Sequence, residues 1–319
     1  MLKKIELICG KTAYVESNLG DYCLRDTLEC GQCFRFERIT VGAVLPDEYL
    51  VTMRGRILHV GQRERGELIF FVQSEADPDP TENAEIREFF ALDTSLEEIK
   101  RDVIRRTDSE WLKEAAECGG GIAILKQDPW EMLISFIISQ NNNIPRIKKI
   151  IKQICVEYGV NLALQNAQNP TCPLSICDGA PSEEKCKKCG ACYSFPSPRD
   201  ITDRPEGLLP SRPGFRYSYI VDAAEKVASG EINLDMIAAA RSYTHTTEQL
   251  KQIKGVGDKV ASCVALFGFA NLEAFPIDVW MKRAIDTYFG SSLDPQALGR
   301  YAGFAQQYIF HYIRNIERS

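Results

Sequence analysis

The rhythm of apolar positions changes along the chain. In its first part they come in short runs, FRFERITVGAVLPDEYLVTMRGRILHVGQ and GELIFFVQS, broken by Gly, Pro and acidic turn residues. Runs of that length predict β-strands joined by turns. Helical spacing begins near Glu82 in TENAEIREFFALDTSLEEIKRDVIRR, with Asp93 to Ser95 as a break and a new helix start. From Gln127 onward the chain reads as helices in pieces. DPWEMLISFIISQ opens on an Asp-Pro start signal and has no polar face, which predicts a helix buried at the centre of a helical domain. IPRIKKIIKQICVEYG spaces Ile at i, i+3 and i+4 with lysines opposite, an amphipathic helix ending at Gly159. Residues 160–200 interrupt the pattern with Pro, Cys, Gly and Lys, and helices resume at SYIVDAAEKVAS, TEQLKQI, DKVASCVALFGF, DVWMKRAIDTYFG and RYAGFAQQYIFHYIRNI. No internal repeat is visible.

Composition narrows this picture. A chain of 319 residues exceeds the usual single-domain size, so two packed domains are expected. At 45% hydrophobic and 26% charged residues it is an ordinary globular sequence, which excludes disorder and fibrous repeats. The expected fold class is α+β: an N-terminal antiparallel β-sheet domain with helices over 1–125, then an all-α domain over 126–319 carrying a Cys-rich insertion at about 160–200. No stretch approaches the roughly 20 apolar residues of a membrane span. The N-terminal segment lacks a sustained apolar region or a small-residue cleavage site, so the expectation is a cytoplasmic protein that is not secreted. Charge is uneven. Residues 1–125 hold 16 Lys and Arg against 24 Asp and Glu, and the remainder hold 22 against 20. An anionic partner is therefore expected on the second half.

The segment LKQIKGVGDKVASCVALFGFANLEAFPIDVWMKRA carries the most chemistry. A helix turns through Gly255-Val256-Gly257 and a second helix starts at Asp258 or Lys259. Such a turn leaves backbone N–H groups unpaired at a helix N-terminus, where they and the helix dipole suit a phosphate. Leu250 and Ile253 before the turn, with Val260 and Ala261 after it, would pack the hairpin shut. Lys259 lies on the first turn of that helix, and a lysine amine so placed is a candidate nucleophile for Schiff-base chemistry. Asp278, in Pro276-Ile277-Asp278, heads its own helix. A fixed carboxylate beside an electrophilic sugar carbon can stabilise an oxocarbenium-like transition state. Taken singly, Lys259 reads equally as a surface lysine and Asp278 as a plain helix cap. Their combination after a Gly-x-Gly hairpin favours catalysis.

IKGVGDKVASCVALFGF followed by FPIDVW resembles the helix-hairpin-helix and Gly/Pro-Asp signature of the base-excision DNA glycosylase superfamily, and within it the 8-oxoguanine DNA glycosylase family. Four further blocks extend the resemblance over nearly the whole chain: GQCFRF, LKQDPWEMLISFIISQNNNIPRI, PGFRYSYI and GFAQQYIF. Any one of these residues has an ordinary structural explanation, and it is the ordered set that is specific.

The resemblance implies a helix-hairpin-helix glycosylase domain, a bifunctional DNA glycosylase and AP lyase, and duplex DNA containing 8-oxoguanine as partner, bound by a monomer without a catalytic cofactor. By the same resemblance Lys259 would attack C1′ of the damaged nucleotide and Asp278 would stabilise the developing sugar cation. Gly31 would offer its backbone carbonyl to the N7–H that guanine lacks, leaving that carbonyl unpaired against guanine. Gln306 would read the Watson–Crick edge, Phe310 would stack on the extruded base, and Cys263 would form the opposite wall. Asn141, Arg146 and Arg216 would fill the vacated space and read the orphaned cytosine, while Gly255 and Gly257 hold backbone phosphate. Extrusion is required because the target carbon is shielded in the stack. Two positions depart from the pattern. Trp280 stands where animal members carry a phosphate-contacting histidine, and Phe215 replaces a tyrosine.

Twelve cysteines remain to be placed. Cys172, Cys177, Cys186, Cys189 and Cys192 have metal-ligand spacing, and Cys177, Cys186, Cys189 and Cys192 are the expected ligands of a structural zinc, with unliganded thiols as the other reading. No cysteine follows Cys263, so the iron–sulfur cluster of other glycosylases in the superfamily is not expected. Cys30-x2-Cys33 brackets Gly31 and reads as packing. Two competing functions stay open: an alkylpurine glycosylase, which would not need Lys259, and a non-catalytic lesion- or DNA-binding module with a structural metal, which would need neither Lys259 nor Asp278.

Overall fold

The computed structural model describes residues 3–6, 12–71, 80–165, 182–289 and 293–316. The first part is a six-stranded sheet built from β1 (Lys3–Glu6), β2 (Thr12–Glu16), β3 (Phe36–Arg38), β4 (Asp47–Met53), β5 (Arg56–Gln62) and β6 (Leu68–Phe71), in the order β1-β2-β6-β5-β4-β3. Every neighbouring pair is antiparallel. Met53 pairs with Arg56, so Arg54 and Gly55 alone turn the β4–β5 hairpin, both with positive φ. That conformation matches the right-handed twist of the flanking strands. A short helix α1 (Leu24–Glu29) crosses between β2 and β3.

Helices α2 (Pro80–Phe89), α3 (Leu96–Arg105) and α4 (Glu110–Gly119) follow the sheet. Ser95 and Ser109 cap α3 and α4 through their side chains, so each helix starts where a hydroxyl can satisfy an otherwise unpaired amide. Then come α5 (Pro129–Ser139) and α6 (Ile144–Tyr158), and, around the Cys-rich segment, α7 (Leu162–Gln165), α8 (Glu183–Cys189) and α9 (Pro198–Asp203). The last group is α10 (Tyr217–Ala228), α11 (Leu234–Ala240), α12 (Tyr243–Leu250), α13 (Asp258–Phe269), α14 (Val279–Tyr288) and α15 (Ala302–Ile316). As its sequence requires, α5 is buried from Trp130 to Ile138, and it packs against the equally apolar α13. One continuous cluster of buried side chains runs from Tyr22 beside the sheet to Ile313 in α15. Among the described residues no helix is long and apolar enough to cross a membrane.

The sheet and the helices are joined through the GQCFRF block. Buried Gln32 donates to the carbonyls of Thr27 (2.9 Å) and Ala123 (2.7 Å) and accepts from the Leu125 amide (2.9 Å). Its own carbonyl accepts from Gln127 Nε2 at 2.8 Å. Arg35, also buried, pairs with Glu131 of α5 at 2.9 Å and donates to the Tyr193 carbonyl. Around that point Thr52 of β4 donates to the Ala191 carbonyl (2.8 Å) and Trp130 to the Pro196 carbonyl (2.8 Å). The stretch after α8 is thus held between the sheet and α5 by its backbone oxygens.

Removing one partner from a buried ion pair leaves the other charge desolvated and unpaired, which costs about 3–5 kcal/mol. Arg35→Ala is expected to destabilise by that amount, and pairing it with Glu131→Leu should recover part of the loss. Urea denaturation measures both variants. A loss below about 1 kcal/mol for the single variant would mean water enters the seam and rescues Glu131.

Cys186 and Cys189 on α8 and Cys192 beyond it are buried, whereas Cys172 and Cys177 lie outside the described residues. Among the described residues no three His, Cys, Asp or Glu side chains converge to hold a metal ion. The zinc expected at Cys177, Cys186, Cys189 and Cys192 is therefore unsupported. Cys30 and Cys33 are packed, and burial pushes their thiols up to about 11 and about 12.

Candidate active site

The hairpin forms as expected between α12 and α13. Leu250, Ile253, Val256, Val260 and Ala261 are all buried within it. Gly255 has φ +78°, and a Cβ there would lie 2.3 Å from the ring of Tyr219, so both conformation and space demand glycine. Gly257 is the N-cap of α13 and supplies no side-chain cap. The first amides of α13 therefore remain suited to an anion.

Lys259, the second residue of α13, is half-buried. Its Nζ lies 3.3 Å from Ser139 Oγ, the last residue of α5, and 5.3 Å from the centroid of Phe136. Ser139 Oγ in turn donates to the Phe136 carbonyl at 2.8 Å. Asp278 caps α14, its Oδ1 accepting from the Met281 amide at 2.8 Å. Cys263 lies one turn beyond Lys259. Burial pushes its thiol up, while the Lys259 ammonium pulls it down and the Asp278 carboxylate pushes it further up. Both charges therefore act on the same thiol.

A cavity of about 480 Å³ collects these groups. Lys259, Asp278, Cys263, Gly31, Gln306 and Phe310 all line it, although they come from four separated parts of the sequence. This volume lies within the usual range for small-ligand sites. Gly31 has φ +99°, a backbone geometry that L side chains rarely adopt. An added Cβ would meet Phe310 at 3.5 Å and Ile144 at 3.6 Å, ordinary contact distances, so it is the backbone conformation and not lack of space that favours glycine here. Ser139, Phe136, Gln307 and Arg314, which belong to none of the expected site positions, also line this cavity. Arg314 was open to detection, because it continues the four-residue spacing of Gln306 and Phe310 along one helix face. Ser139 had a weaker signal, a hydroxyl closing an apolar helix.

A second, more open concavity of about 600 Å³ is lined by Asn141, Asn142, Asn143, Arg146, Phe215 and Arg216. Asn142 and Asn143 line both concavities, so the two adjoin across the α5–α6 turn. Within that turn Asn143 caps α6 and Asn141 takes a positive φ of +48°. Buried Arg216 donates to the carbonyls of Gln140, Asn141 (3.1 Å) and Pro213 (3.2 Å), so in this state much of its guanidinium holds the turn. Burial and, after it, the neighbouring Arg146 cation lower its pKa. Phe215 is 52% exposed over the Arg216 guanidinium and stands edge-on to Tyr219, the ring that supports Gly255. Ile277, Val279 and Trp280 are exposed at the start of α14, with Trp280 also at the rim of the first cavity. This face offers cationic, apolar and amide groups around two adjoining hollows.

Residues 14–133 match the model of the 8-oxoguanine DNA glycosylase N-terminal domain. The chain is 29% identical over 300 residues to the N-glycosylase/DNA lyase of Saccharomyces cerevisiae, a match covering 86% of this chain and 69% of that protein. The fold superposes on the 8-oxoguanine glycosylase/lyase of Clostridium acetobutylicum, solved with duplex DNA containing cytosine opposite 8-oxoguanine. The TM-score is 0.78 at 28% identity, covering 99% of this chain and 98% of that one. It superposes equally on MBOgg1 in complex with a low-affinity DNA ligand, with a TM-score of 0.78, 32% identity and 99% of both chains covered. With its fold, its hairpin and its lysine–aspartate cavity alike, the chain belongs to the 8-oxoguanine DNA glycosylase family.

Proposed function

We propose that the chain extrudes 8-oxoguanine from opposite cytosine in duplex DNA, releases the base and cleaves the strand through a Schiff base on Lys259. The observation that carries this reading is the meeting of Lys259, Asp278 and Gly31 in one cavity of about 480 Å³, roomy enough for a purine base. The Lys259 amine attacks C1′ as the C1′–N9 bond breaks. The bonding pair leaves with the base, which takes up a proton. Asp278 stabilises positive charge on the sugar as that bond opens. Loss of a proton from the amine and opening of the sugar ring give the C1′=N Schiff base. Removal of a C2′ proton then expels the 3′-phosphate by β-elimination, and water releases Lys259.

The remaining assignments are those the family resemblance implies, and the lining of the two concavities supports them. Gly31 selects the N7–H, Phe310 stacks on the base, Cys263 closes the far wall and Gln306 meets the Watson–Crick edge. Asn141, Arg146 and Arg216 receive the orphaned cytosine in the adjoining concavity, with Phe215 as the wedge. The α13 amides after Gly255 and Gly257 hold phosphate. In this reading the two domains are 1–125 and 126–319, and the enzyme acts in the cytoplasm as a monomer on the nucleoid. The chemistry uses no cofactor. A binding module would need neither the nucleophile nor the carboxylate, so the paired groups favour an enzyme. The test is strand cleavage of a duplex carrying one 8-oxoguanine opposite cytosine: the lesion strand is expected to be cut and the matched guanine duplex left whole. Equal treatment of the two duplexes would contradict the reading.

A further inference from the structure

Ser139 closes α5 and lines the cavity with Lys259, half-buried and outside every role assigned above. At a helix end the last carbonyls lose their amide partners. The Gln140 amide bonds the Ile137 carbonyl at 3.4 Å, and the Phe136 carbonyl takes its hydrogen bond from the Ser139 hydroxyl at 2.8 Å. A hydroxyl has one proton and two lone pairs. With that proton committed to Phe136, Oγ turns lone pairs to the Lys259 Nζ, 3.3 Å away, and accepts from the amine. It therefore holds the nitrogen without masking the nitrogen lone pair.

The hydroxyl is also fixed relative to the lysine. The Phe136 ring stacks on Phe267 of α13 at 5.5 Å and stands edge-on to Phe34 at 5.7 Å. Lys259 Nζ lies 5.3 Å from the centroid of the same ring. Phe136 thus ties the end of α5 to the helix that carries Lys259. A neutral amine has two N–H bonds and one lone pair, so an acceptor that takes one N–H restricts where the lone pair points. Alignment of the reacting groups supplies a large share of the rate in such reactions. We propose that Ser139 is a positioning residue: by accepting an N–H of Lys259 it turns the amine lone pair into the cavity, toward C1′ of the extruded nucleotide. It forms no bond to the substrate and takes up no proton.

The inference rests on the excision reading above, and one set of assays separates the two. Ser139→Ala and Ser139→Thr are compared with the natural chain in single-turnover release of 8-oxoguanine over a range of enzyme concentrations, and in borohydride capture at a preformed abasic site. For Ser139→Ala the maximal rates of release and of capture are expected to fall about 10- to 100-fold, as for a misaligned nucleophile. The half-saturating concentration should stay within about twofold of natural, because the contact is to the enzyme's own lysine and not to DNA. The thermal midpoint should drop by no more than about 4 °C, as for one lost hydrogen bond. Threonine keeps a hydroxyl that can bond the carbonyl three residues back, so Ser139→Thr should recover the rates to within about threefold. An alanine variant that keeps the natural rates, or whose loss lies in the half-saturating concentration, overturns the inference. So does a loss that threonine fails to recover, which would make Ser139 a packing residue. A natural chain that releases no base would remove the excision reading and this inference together, whereas natural release with an unimpaired alanine variant removes this inference alone.

Discussion

Lys259→Gln is expected to abolish covalent capture of DNA and strand cleavage while leaving a folded protein that still binds the lesion duplex. The side chain is half-buried at the cavity wall, with its Nζ 3.3 Å from Ser139 Oγ. Glutamine is a good helix former and can reach the same hydroxyl, so the stability change should stay within about 0.5 kcal/mol. The chemistry has no such substitute. An amide nitrogen has no lone pair available to attack C1′, and removing the nucleophile of a covalent enzyme costs at least about 10³-fold in rate. Single-turnover kinetics on the 8-oxoguanine duplex measure the loss, and thermal unfolding measures the fold. Undiminished strand cleavage by the variant would assign the nucleophile to another amine.

Asp278→Asn is the second large effect. Asparagine caps a helix as well as aspartate does, so the hydrogen bond from the Met281 amide at 2.8 Å can persist and α14 should hold its place. What the variant loses is the negative charge at the cavity. Removing one electrostatic stabiliser from a preorganised site costs about 10²- to 10³-fold. Asp278→Asn should therefore lower the rate of base release by that factor with little change in thermal stability, whereas Asp278→Ala should add a capping loss of about 1 kcal/mol. If Asn and Ala variants lost activity only in proportion to stability, the carboxylate would be a cap and no more.

Much of this was legible from local pattern. The apolar run after Asp128 is α5, with that aspartate as its cap; the Ile and Lys periodicity after Asn143 is α6 and stops at Gly159; the Gly-x-Gly turn leads into α13 at Asp258. Such elements carry their stop and start signals within themselves. Short helices did not announce themselves. α1 and α11 have six and seven residues, too few turns for periodicity to stand out; α11 is held by packing on α12, as the ten-residue α4 is by packing on α15. α8 lies inside the stretch that reads as irregular, where Ser182 starts it and left-handed Gly190 ends it.

The placement of Lys259 and Asp278, the proposed catalytic pair, was legible because a hairpin and a helix cap position both residues by short-range rules. The role of the GQCFRF block was only half legible. Gly31 faces the cavity, but Gln32 and Arg35 clamp segments some 90 residues or more away, and such partners are set by tertiary packing. Gln307 was invisible for a related reason. Beside Gln306 it reads as a second polar helix position, and only the assembled fold shows its side-chain carbonyl buried without a hydrogen-bond partner among the described residues.

The central claim is that Lys259 bonds to the sugar of an excised 8-oxoguanine. The most direct measurement is borohydride trapping on a duplex with a single 8-oxoguanine opposite cytosine, run with the natural chain and with Lys259→Gln, followed by mass spectrometry of the tryptic adduct. The account predicts a covalent protein–DNA adduct from the natural chain alone, mapping to the peptide that holds Lys259. Base release without any adduct, or an adduct on a different residue, would contradict it.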